Sequence, residues 1–328
     1  MWTRNQLLEF FAPSKERPAY LDFFPKDEIR QSGAIRSREV ATVRSLQESD
    51  LREVAALEGS PSFETIVSML DSISELNSLP KLSGIGVELG SGIGLLSAAI
   101  LSADDEEVIS GILALEAGLP FIQEGIERTS RAVLGENFVK IMPCYGSFDK
   151  IEVESESIDF ILQIEALHHA DSLNPPLREA FRILKKEGYL ISIDRSWPNG
   201  VKDSTLKELL DHEYEKEWLI KKGFPSEKPF TRRDNGEHEY RDFEWKNSFE
   251  EAGFEIVSMD FIHPKIEKFH LMKRFVTLLR LTRILRVKIP SRGGLLRAFL
   301  HQHLFVKIPG RLSVTAHPRP LTVFVLKK

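Results

Sequence analysis

The chain has 328 residues, of which 42% are hydrophobic and 28% charged, and a formal net charge of −5, values typical of a globular protein with one large or two smaller domains. Its single cysteine, Cys144, excludes an intrachain disulfide and a cysteine-rich zinc site. The charged first twenty residues argue against a signal peptide, no apolar run approaches the roughly 18 residues of a membrane span, and we expect a cytoplasmic protein.

Residues 1–80 are predicted to form an N-terminal helical cap. Apolar residues follow helical spacing over 40–57 and 63–76, and no part of the region alternates like a strand. The cap is either a lid over a bound ligand or a set of solvated helix faces. As a lid it would bring arginines toward an acidic substrate, namely Arg36, Arg38 and Arg44.

Residues 81–328 are predicted to form one α/β domain, because strand-like and helix-like segments alternate from position 81 onward. Helices are expected between the first six strands. The pairs Glu187-Gly188 and Ala252-Gly253 are expected to end the helices before the fifth and sixth strands, each with a left-handed residue. Two insertions, at 195–248 and 262–319, follow the fifth and sixth strands. The seven predicted strands lie near 85–89, 108–115, 138–142, 157–164, 188–194, 254–261 and 320–327.

A glycine turn follows the first of these strands. Residues 85–89 alternate like a strand, and a helical apolar pattern begins at Leu95. Between them glycines occupy every second position, at Gly90, Gly92 and Gly94. Glycines let the main chain approach a ligand closely, and the following helix N-terminus offers unpaired N–H groups. The pattern therefore predicts the opening of a nucleotide-binding βαβ unit.

The spacing of the glycines distinguishes two cofactor classes. A dinucleotide-binding turn reads Gly-x-Gly-x-x-Gly or Ala, which would require a small residue at Leu95. With Glu88 before the turn, the stretch instead resembles motif I of the class I S-adenosyl-L-methionine (SAM) dependent methyltransferases. An NAD(P) site and a structural turn without a ligand are the alternatives. The resemblance extends over about residues 82–194 and, more loosely, over 249–261.

This resemblance implies a Rossmann-like, mostly parallel sheet of seven strands with an antiparallel last strand. It also implies SAM as cofactor, with S-adenosyl-L-homocysteine (SAH) as product. A ribose-binding carboxylate is expected at the end of the second strand, where Glu116 stands. Where the family often has Gly-Asp-Ala beside the adenine, Ser147 replaces the aspartate and Phe148 offers a stacking surface. The expected cofactor-binding residues are Glu88, Gly90, Ser91, Gly92, Gly94, Glu116, Ala117, Ser147, Phe148, Gln163 and Ile164.

Catalysis of methyl transfer needs chiefly an aligned nucleophile and exclusion of water, with a general base when the acceptor is a hydroxyl. The base should stand at the carboxyl end of the fourth or fifth strand. We expect His168, His169 or Asp194 to serve, Asp194 either as the base or as the group that orients it; structural packing is the alternative role for either histidine. Glu165 and Arg195 occupy the same region. We see no metal-binding spacing.

The insertion at 195–248 is predicted to be a lid over the acceptor. Its segment 236–241 contains a histidine, a tyrosine and an arginine, which can supply a base, a hydroxyl donor and an anion clamp. His238 and Tyr240 are therefore further catalytic candidates. A polar loop that merely precedes a helix at 244–252 is the alternative.

The insertion at 262–319 is strongly basic, because residues 264–319 contain 13 lysines and arginines and one acid, Glu267. These cations could attach a helix at 271–289 to an anionic membrane surface or could bind an anionic acceptor. Alternatively, the segment packs on the acidic remainder of the chain or on a second subunit of a homo-oligomer. We do not expect a nucleic-acid partner, because the rest of the chain is acidic and has no RNA-binding module.

These features together predict a SAM-dependent methyltransferase (EC 2.1.1.-) that methylates a hydroxyl of a small molecule or sugar, including an anionic or lipid-linked glycan. The alternatives are a non-catalytic SAM-binding regulatory subunit, an N- or C-methyltransferase of another small metabolite, and a peripheral membrane or scaffold protein.

Overall fold

A computed structural model describes residues 1–11, 18–24, 79–119, 121–221, 227, 229–262 and 321–328. The helices predicted at 40–57 and 63–76 lie outside these residues, as does the basic segment 264–319. What the sequence predicts for them, including membrane attachment and a role as a lid, stays a prediction.

The described residues form an eight-stranded sheet with the strand order β1-β4-β3-β2-β5-β6-β8-β7. All neighbouring strands pair in parallel except β8, which is antiparallel to β6 and β7. This confirms the Rossmann-like fold class and the antiparallel last strand. The strands are β1 (Leu21–Asp22), β2 (Gly84–Leu89), β3 (Ile109–Glu116), β4 (Ile141–Tyr145), β5 (Ile158–Ile164), β6 (Leu184–Arg195), β7 (Glu255–Ile262) and β8 (Leu321–Lys327).

Strand order reverses at β2, which pairs with β3 on one side and β5 on the other. Such a reversal opens a crevice beyond the carboxyl ends of the strands, where ligands bind in open α/β sheets. At the far edge of the sheet, Ile262 pairs with Leu321, which also pairs with Arg195 at the end of β6. Ile262 and Leu321, the described residues nearest the two ends of the basic segment, therefore lie at the carboxyl end of β6.

Helices cover both faces of the sheet, as its almost completely buried central strands β2 to β5 require. On one face, Leu96 and Ile126 belong to the core around α2 and α3. On the other, Leu7, Leu177 and Phe249 belong to the core around α1, α4 and α7. No helix in the described part of the chain is long and apolar enough to cross a membrane. The α-helices are α1 (Arg4–Phe10), α2 (Leu95–Ser102), α3 (Ile126–Leu134), α4 (Asn174–Ile183), α5 (Asp203–Leu210), α6 (Lys216–Lys221) and α7 (Asp242–Ala252).

The helix predicted between β4 and β5 is absent, since residues 146–157, all of them described, form turns. The N-terminus covers this part of the sheet instead. The Trp2 N–H donates to the carbonyl of Glu152 at 2.6 Å, and the Glu154 N–H donates to the carbonyl of Trp2 at 2.9 Å. The strand β1 was not predicted either, because two residues are too few to show an alternating pattern. Gly253 does end α7 in the left-handed region, with φ of 105°. The prediction for Glu187-Gly188 is wrong, because α4 already ends at Ile183 and both residues lie within β6, where Glu187 has φ of 65°.

We predict that Phe249→Ala lowers the free energy of unfolding by about 3–5 kcal/mol, because it removes a fully buried ring. That ring packs on Trp245 and Phe324, with centroids 5.7 and 5.0 Å away. Phe243→Ala is the matched control, since Phe243 lies on the same helix and is 42% exposed. Urea unfolding measures both variants, and equal losses would contradict this account of the core.

Candidate active site

The glycine turn after β2 has a left-handed backbone at all three glycines, with φ of 67° at Gly90, 51° at Gly92 and 79° at Gly94. A Cβ at Gly90 would lie only 2.5 Å from the Cβ of Ala166, so glycine lets this turn contact the turn after β5. A Cβ at Gly92 would meet no atom of the described residues within 4 Å. The turn therefore presents bare main chain to open space at Gly92.

Glu116 stabilises this turn from the end of β3. Its carboxylate accepts the Gly92 N–H at 2.9 Å on Oε2 and the Gly118 N–H at 2.8 Å on Oε1. A carboxylate accepts several hydrogen bonds, which is the chemistry that a ribose diol requires. Ala117 follows at the partly exposed rim of the turn. Glu116 thus lies where the ribose contact is expected.

Glu88 and Ser91 have different roles in the turn. Glu88 is buried and accepts hydrogen bonds from the main-chain N–H and the hydroxyl of Ser97, so it anchors the first turn of α2. Burial raises the pKa of Glu88 to about 7. The Ser91 hydroxyl is also buried but has no hydrogen-bond partner in the described residues. Both residues were predicted to contact the cofactor. Of the two, only Ser91 has a polar atom without a partner in the described residues, which a ligand could bind.

The predicted residues beyond the turn bond mainly to the protein itself. The Ser147 hydroxyl donates to the carboxylate of Asp149 and accepts its N–H, both at 3.2 Å. The Gln163 amide is fully buried; it donates to the Ser192 hydroxyl at 2.5 Å, and its oxygen accepts the Ala166 N–H at 3.0 Å. Gln163 therefore fixes the turn after β5.

Phe148 and Ile164 each pack partly against a hydrophobic core, on opposite faces of the sheet. At the end of β4, Tyr145 contacts Tyr20 and Phe24, with ring centroids 6.4 and 4.7 Å away. Sequence reasoning missed this aromatic group, because Tyr20 and Phe24 are distant in sequence from Tyr145 and belong to a region predicted to be helical.

His168 and Asp194 meet at the carboxyl ends of β5 and β6. His168 Nδ1 lies 2.7 Å from Asp194 Oδ1, and the His168 main-chain N–H donates to Oδ2 at 3.3 Å. Asp194 Oδ1 also accepts the Arg195 N–H at 2.7 Å. His168 is 4% exposed and Asp194 is fully buried. Two of the five predicted catalytic residues therefore form a buried pair.

The charge states of this pair follow from its surroundings. Burial, together with the positive charge of Arg195, holds the pKa of His168 well below its usual range. Burial raises the pKa of Asp194 to about 6, which leaves it a carboxylate at neutral pH. A carboxylate only accepts hydrogen bonds, so the neutral imidazole carries its proton on Nδ1. Within the described residues, Nε2 makes no hydrogen bond and keeps its lone pair.

The other three predicted catalytic residues pack around the turn that carries His168. The His238 main-chain N–H donates to the His168 carbonyl at 3.0 Å, and its ring Nδ1 lies 3.1 Å from the same oxygen. The Tyr240 hydroxyl donates to the carbonyl of Ala170 at 3.2 Å, and burial raises its pKa to about 12. The His169 ring lies 4.3 Å from that of His168. Their catalytic roles stay predictions.

A buried ion-pair network joins the end of β6 to the insertion. Arg195 and Arg232 both pair with Glu237 and Glu239. The Tyr214 hydroxyl donates to Glu237 at 2.9 Å, and the Trp197 indole N–H donates to Glu239. Arg241, expected as an anion clamp, is instead paired with Asp203 and Glu244. Sequence reasoning missed Arg232; the only signal was the alternation of acids at 237 and 239.

Residues 87–192 match the protein family described as "Methyltransferase domain". Comparison with curated proteins gives no match. The family match covers the glycine turn, Glu116 and His168, and ends two residues before Asp194. With the sheet topology, it identifies this part of the chain as a class I, Rossmann-like methyltransferase domain.

Similar solved structures include the [4+2]-cyclase SpnF, at 13% identity and a TM-score of 0.51 over 91% of this chain and 95% of that chain. A SAM-dependent methyltransferase from Mesorhizobium loti has 13% identity and a TM-score of 0.46, over 80% of this chain and 98% of that chain. Phosphoethanolamine N-methyltransferase 2 from Haemonchus contortus has 11% sequence identity and a TM-score of 0.49, over 93% of this chain and 61% of that chain. The likeness to SpnF shows the fold alone, so activity must be argued from the site.

The residues of the turn fit a SAM molecule. The Ser91 hydroxyl lacks a partner in the described residues, Gly92 faces open space, and Glu116 stands at the end of the adjacent strand. The domain match and this geometry support SAM as the cofactor. Among the described residues no group of three histidine, cysteine or acidic side chains could hold a metal ion.

We predict that Gly92→Ala weakens SAH binding at least tenfold, because the methyl group would enter the open side of the turn. Gly135→Ala is the matched control: Gly135 has φ of 56° and equally open surroundings, but lies after α3. Both variants should lose stability, by about 1 kcal/mol or more, because each places a Cβ on a backbone with positive φ. Calorimetric titration with SAH and with NAD tests this. Equal SAH affinity in the two variants, or tight NAD binding, would contradict the cofactor assignment.

Proposed function

We propose that this SAM-dependent methyltransferase transfers the methyl group to a hydroxyl of a small molecule or sugar, with His168 as general base and Asp194 as the residue that orients it. The observation that carries the proposal is the buried His168–Asp194 pair, with its 2.7 Å contact at Nδ1.

The pair suits an acceptor that must lose a proton. Bound SAM supplies a methyl group activated by the positive sulfonium. The acceptor oxygen would take the methyl group as SAH leaves with the electron pair of the carbon–sulfur bond, and His168 Nε2 would accept the hydroxyl proton. Asp194 accepts the Nδ1–H throughout and stabilises the imidazolium that forms, as an orienting carboxylate does in other His–Asp pairs. A neutral amine can attack without prior loss of a proton, so it has less need of such a pair.

The position of the pair supports the same role. Ala166, two residues before His168, lies against Gly90 of the glycine turn, where a Cβ would come within 2.5 Å. Gln163 and the insertion hold this turn from two sides. These contacts support the inference that His168 is held beside the cofactor, and positioning of this kind contributes much of the rate in displacement reactions.

The described part of the lid favours a neutral acceptor. Arg195 and Arg232 are each paired with Glu237 and Glu239, so their charges are already balanced. Asp194 adds a further negative charge nearby. An anionic or lipid-linked glycan would therefore need cations from elsewhere, such as the segment 264–319, which lies outside the described residues. A neutral sugar or small alcohol needs none.

An acceptor panel tests the proposed substrate class. The full chain would be incubated with SAM and matched compounds: a methyl glycoside, the corresponding glucuronide, a catechol and a primary amine, with SAH release as the readout. Turnover of a hydroxyl compound, neutral more than acidic, is expected. Turnover of the amine alone would overturn hydroxyl methylation. SAH binding without turnover of any class would favour a non-catalytic SAM-binding subunit instead.

We predict that His168→Gln lowers kcat by about 10²–10⁴-fold on a hydroxyl acceptor, the usual contribution of a general base. Asp194→Asn should cause a comparable loss, because an amide no longer enforces the Nδ1–H form. His169→Gln is the comparison variant and should lose less than tenfold. SAH affinity measured by calorimetry should be unchanged in all three. A larger loss for His169→Gln than for His168→Gln would reassign the base.

We also predict that kcat falls as the pH is lowered through about 6. The pKa of Asp194 is raised from 3.8 to about 6, so below that pH the acceptor of the His168 Nδ1–H becomes protonated. The imidazole is still neutral there, because its pKa lies well below 6.5. The fall of kcat near pH 6, measured as a pH–rate profile, should be absent in Asp194→Asn. If kcat still falls near pH 6 in that variant, a group other than Asp194 titrates there.

A further inference from the structure

The lid insertion crosses the catalytic edge of the sheet as an extended segment, residues 237–241. The Trp197 N–H donates to the Tyr240 carbonyl at 2.9 Å, and the Asp242 N–H donates to the Trp197 carbonyl at 2.7 Å. On the other side the His238 N–H donates to the His168 carbonyl at 3.0 Å. The segment therefore connects the continuation of β6 with the turn that carries His168.

Side chains of this segment alternate between two sets of partners, as in a strand. His238 and Tyr240 bond to the carbonyls of His168 and Ala170. Glu237 and Glu239 bond to the two buried arginines. The contacts of Glu237 and Glu239 with the arginines thus hold the segment in place. The contacts of His238 and Tyr240 connect it to the turn that carries His168.

The energetics of the buried network argue against a role in stability alone. Arg195, Arg232 and Glu239 are at most 8% exposed, so their charges are removed from water. Nε and Nη2 of Arg195 and Nη1 of Arg232 have no hydrogen-bond partner in the described part of the chain. Buried ion pairs with incomplete hydrogen bonding are often no more stabilising than apolar residues of similar volume. What they do provide is a specific arrangement of the segments they join.

We propose that Arg195, Arg232, Glu237 and Glu239 are positioning residues, which fix the segment 237–241 and thereby hold the His168 turn so that the imidazole faces Asp194. The proposal rests on the proposed function only in taking His168 as the base. The arrangement of the His168 ring can be measured without any acceptor.

The experiment is ¹⁵N NMR of histidine-labelled full-length protein with SAH bound, at a pH where His168 is neutral. His168→Gln assigns the signal. Chemical shifts of the two ring nitrogens report which one carries the proton. In the unaltered protein the Nδ1–H form should account for nearly all of the signal. Arg232→Met and Glu239→Gln should each give a mixture with the Nε2–H form, and Arg232→Lys should restore part of the original pattern.

Arg233→Met is the matched control, because Arg233 is adjacent in sequence but pairs with Asp211 at the surface. It should keep the Nδ1–H signal. SAH affinity shows that each variant is folded. If Arg232→Met does not bind SAH, the isosteric Glu239→Gln decides. An unchanged Nδ1–H signal in folded Arg232→Met or Glu239→Gln overturns the proposal, as does unfolding of both. Full activity of His168→Gln would overturn the proposed base but would leave the tautomer result intact.

Discussion

The parallel pairing of β5 with both β2 and β6 is the constraint on which the site depends. Parallel strands end at the same edge, so the glycine turn after β2 and Asp194 at the end of β6 lie on either side of the His168 turn. The absence of a side chain at Gly90 lets the turns after β2 and β5 touch. Slippage of β5 by one residue would exchange the faces of its side chains and would separate His168 from Asp194.

Much of the fold could be predicted because its signals are local. The alternating apolar residues before the glycines at 90–94 predicted β2, and the helical apolar pattern after them predicted α2. Glu116 was predicted as the acid at the end of the next strand. All seven predicted strands are present. By contrast, β1 has only two residues and is defined by its pairing with β4. The cover over residues 146–157 comes from the N-terminal residues around Trp2, which are distant in sequence, and no local pattern can reveal such a contact.

The sequence predicted which residues belong to the site better than it predicted what each of them does. His168 and Asp194 were both expected, but their contact depends on the register of β5 and β6. His238 and Tyr240 look like catalytic residues in sequence, yet their polar atoms bond to main-chain carbonyls 70 residues away. Arg232 was missed because a buried arginine is recognised only by the carboxylates that the fold brings to it, and the alternating acids at 237 and 239 do not reveal their partner. The burial of a side chain and its partners from distant parts of the chain decide such roles, and the spacing of residues in the sequence reveals neither.

The pairing of Ile262 with Leu321 has a consequence for the cationic segment between them. Since the chain leaves and re-enters the sheet at one ladder position, a two- or three-residue hairpin could close β7 and β8 directly, without disturbing the register of either strand. The pairing of the described strands therefore does not depend on the residues between them, and a chain that lacks those residues would still have all eight strands of the sheet.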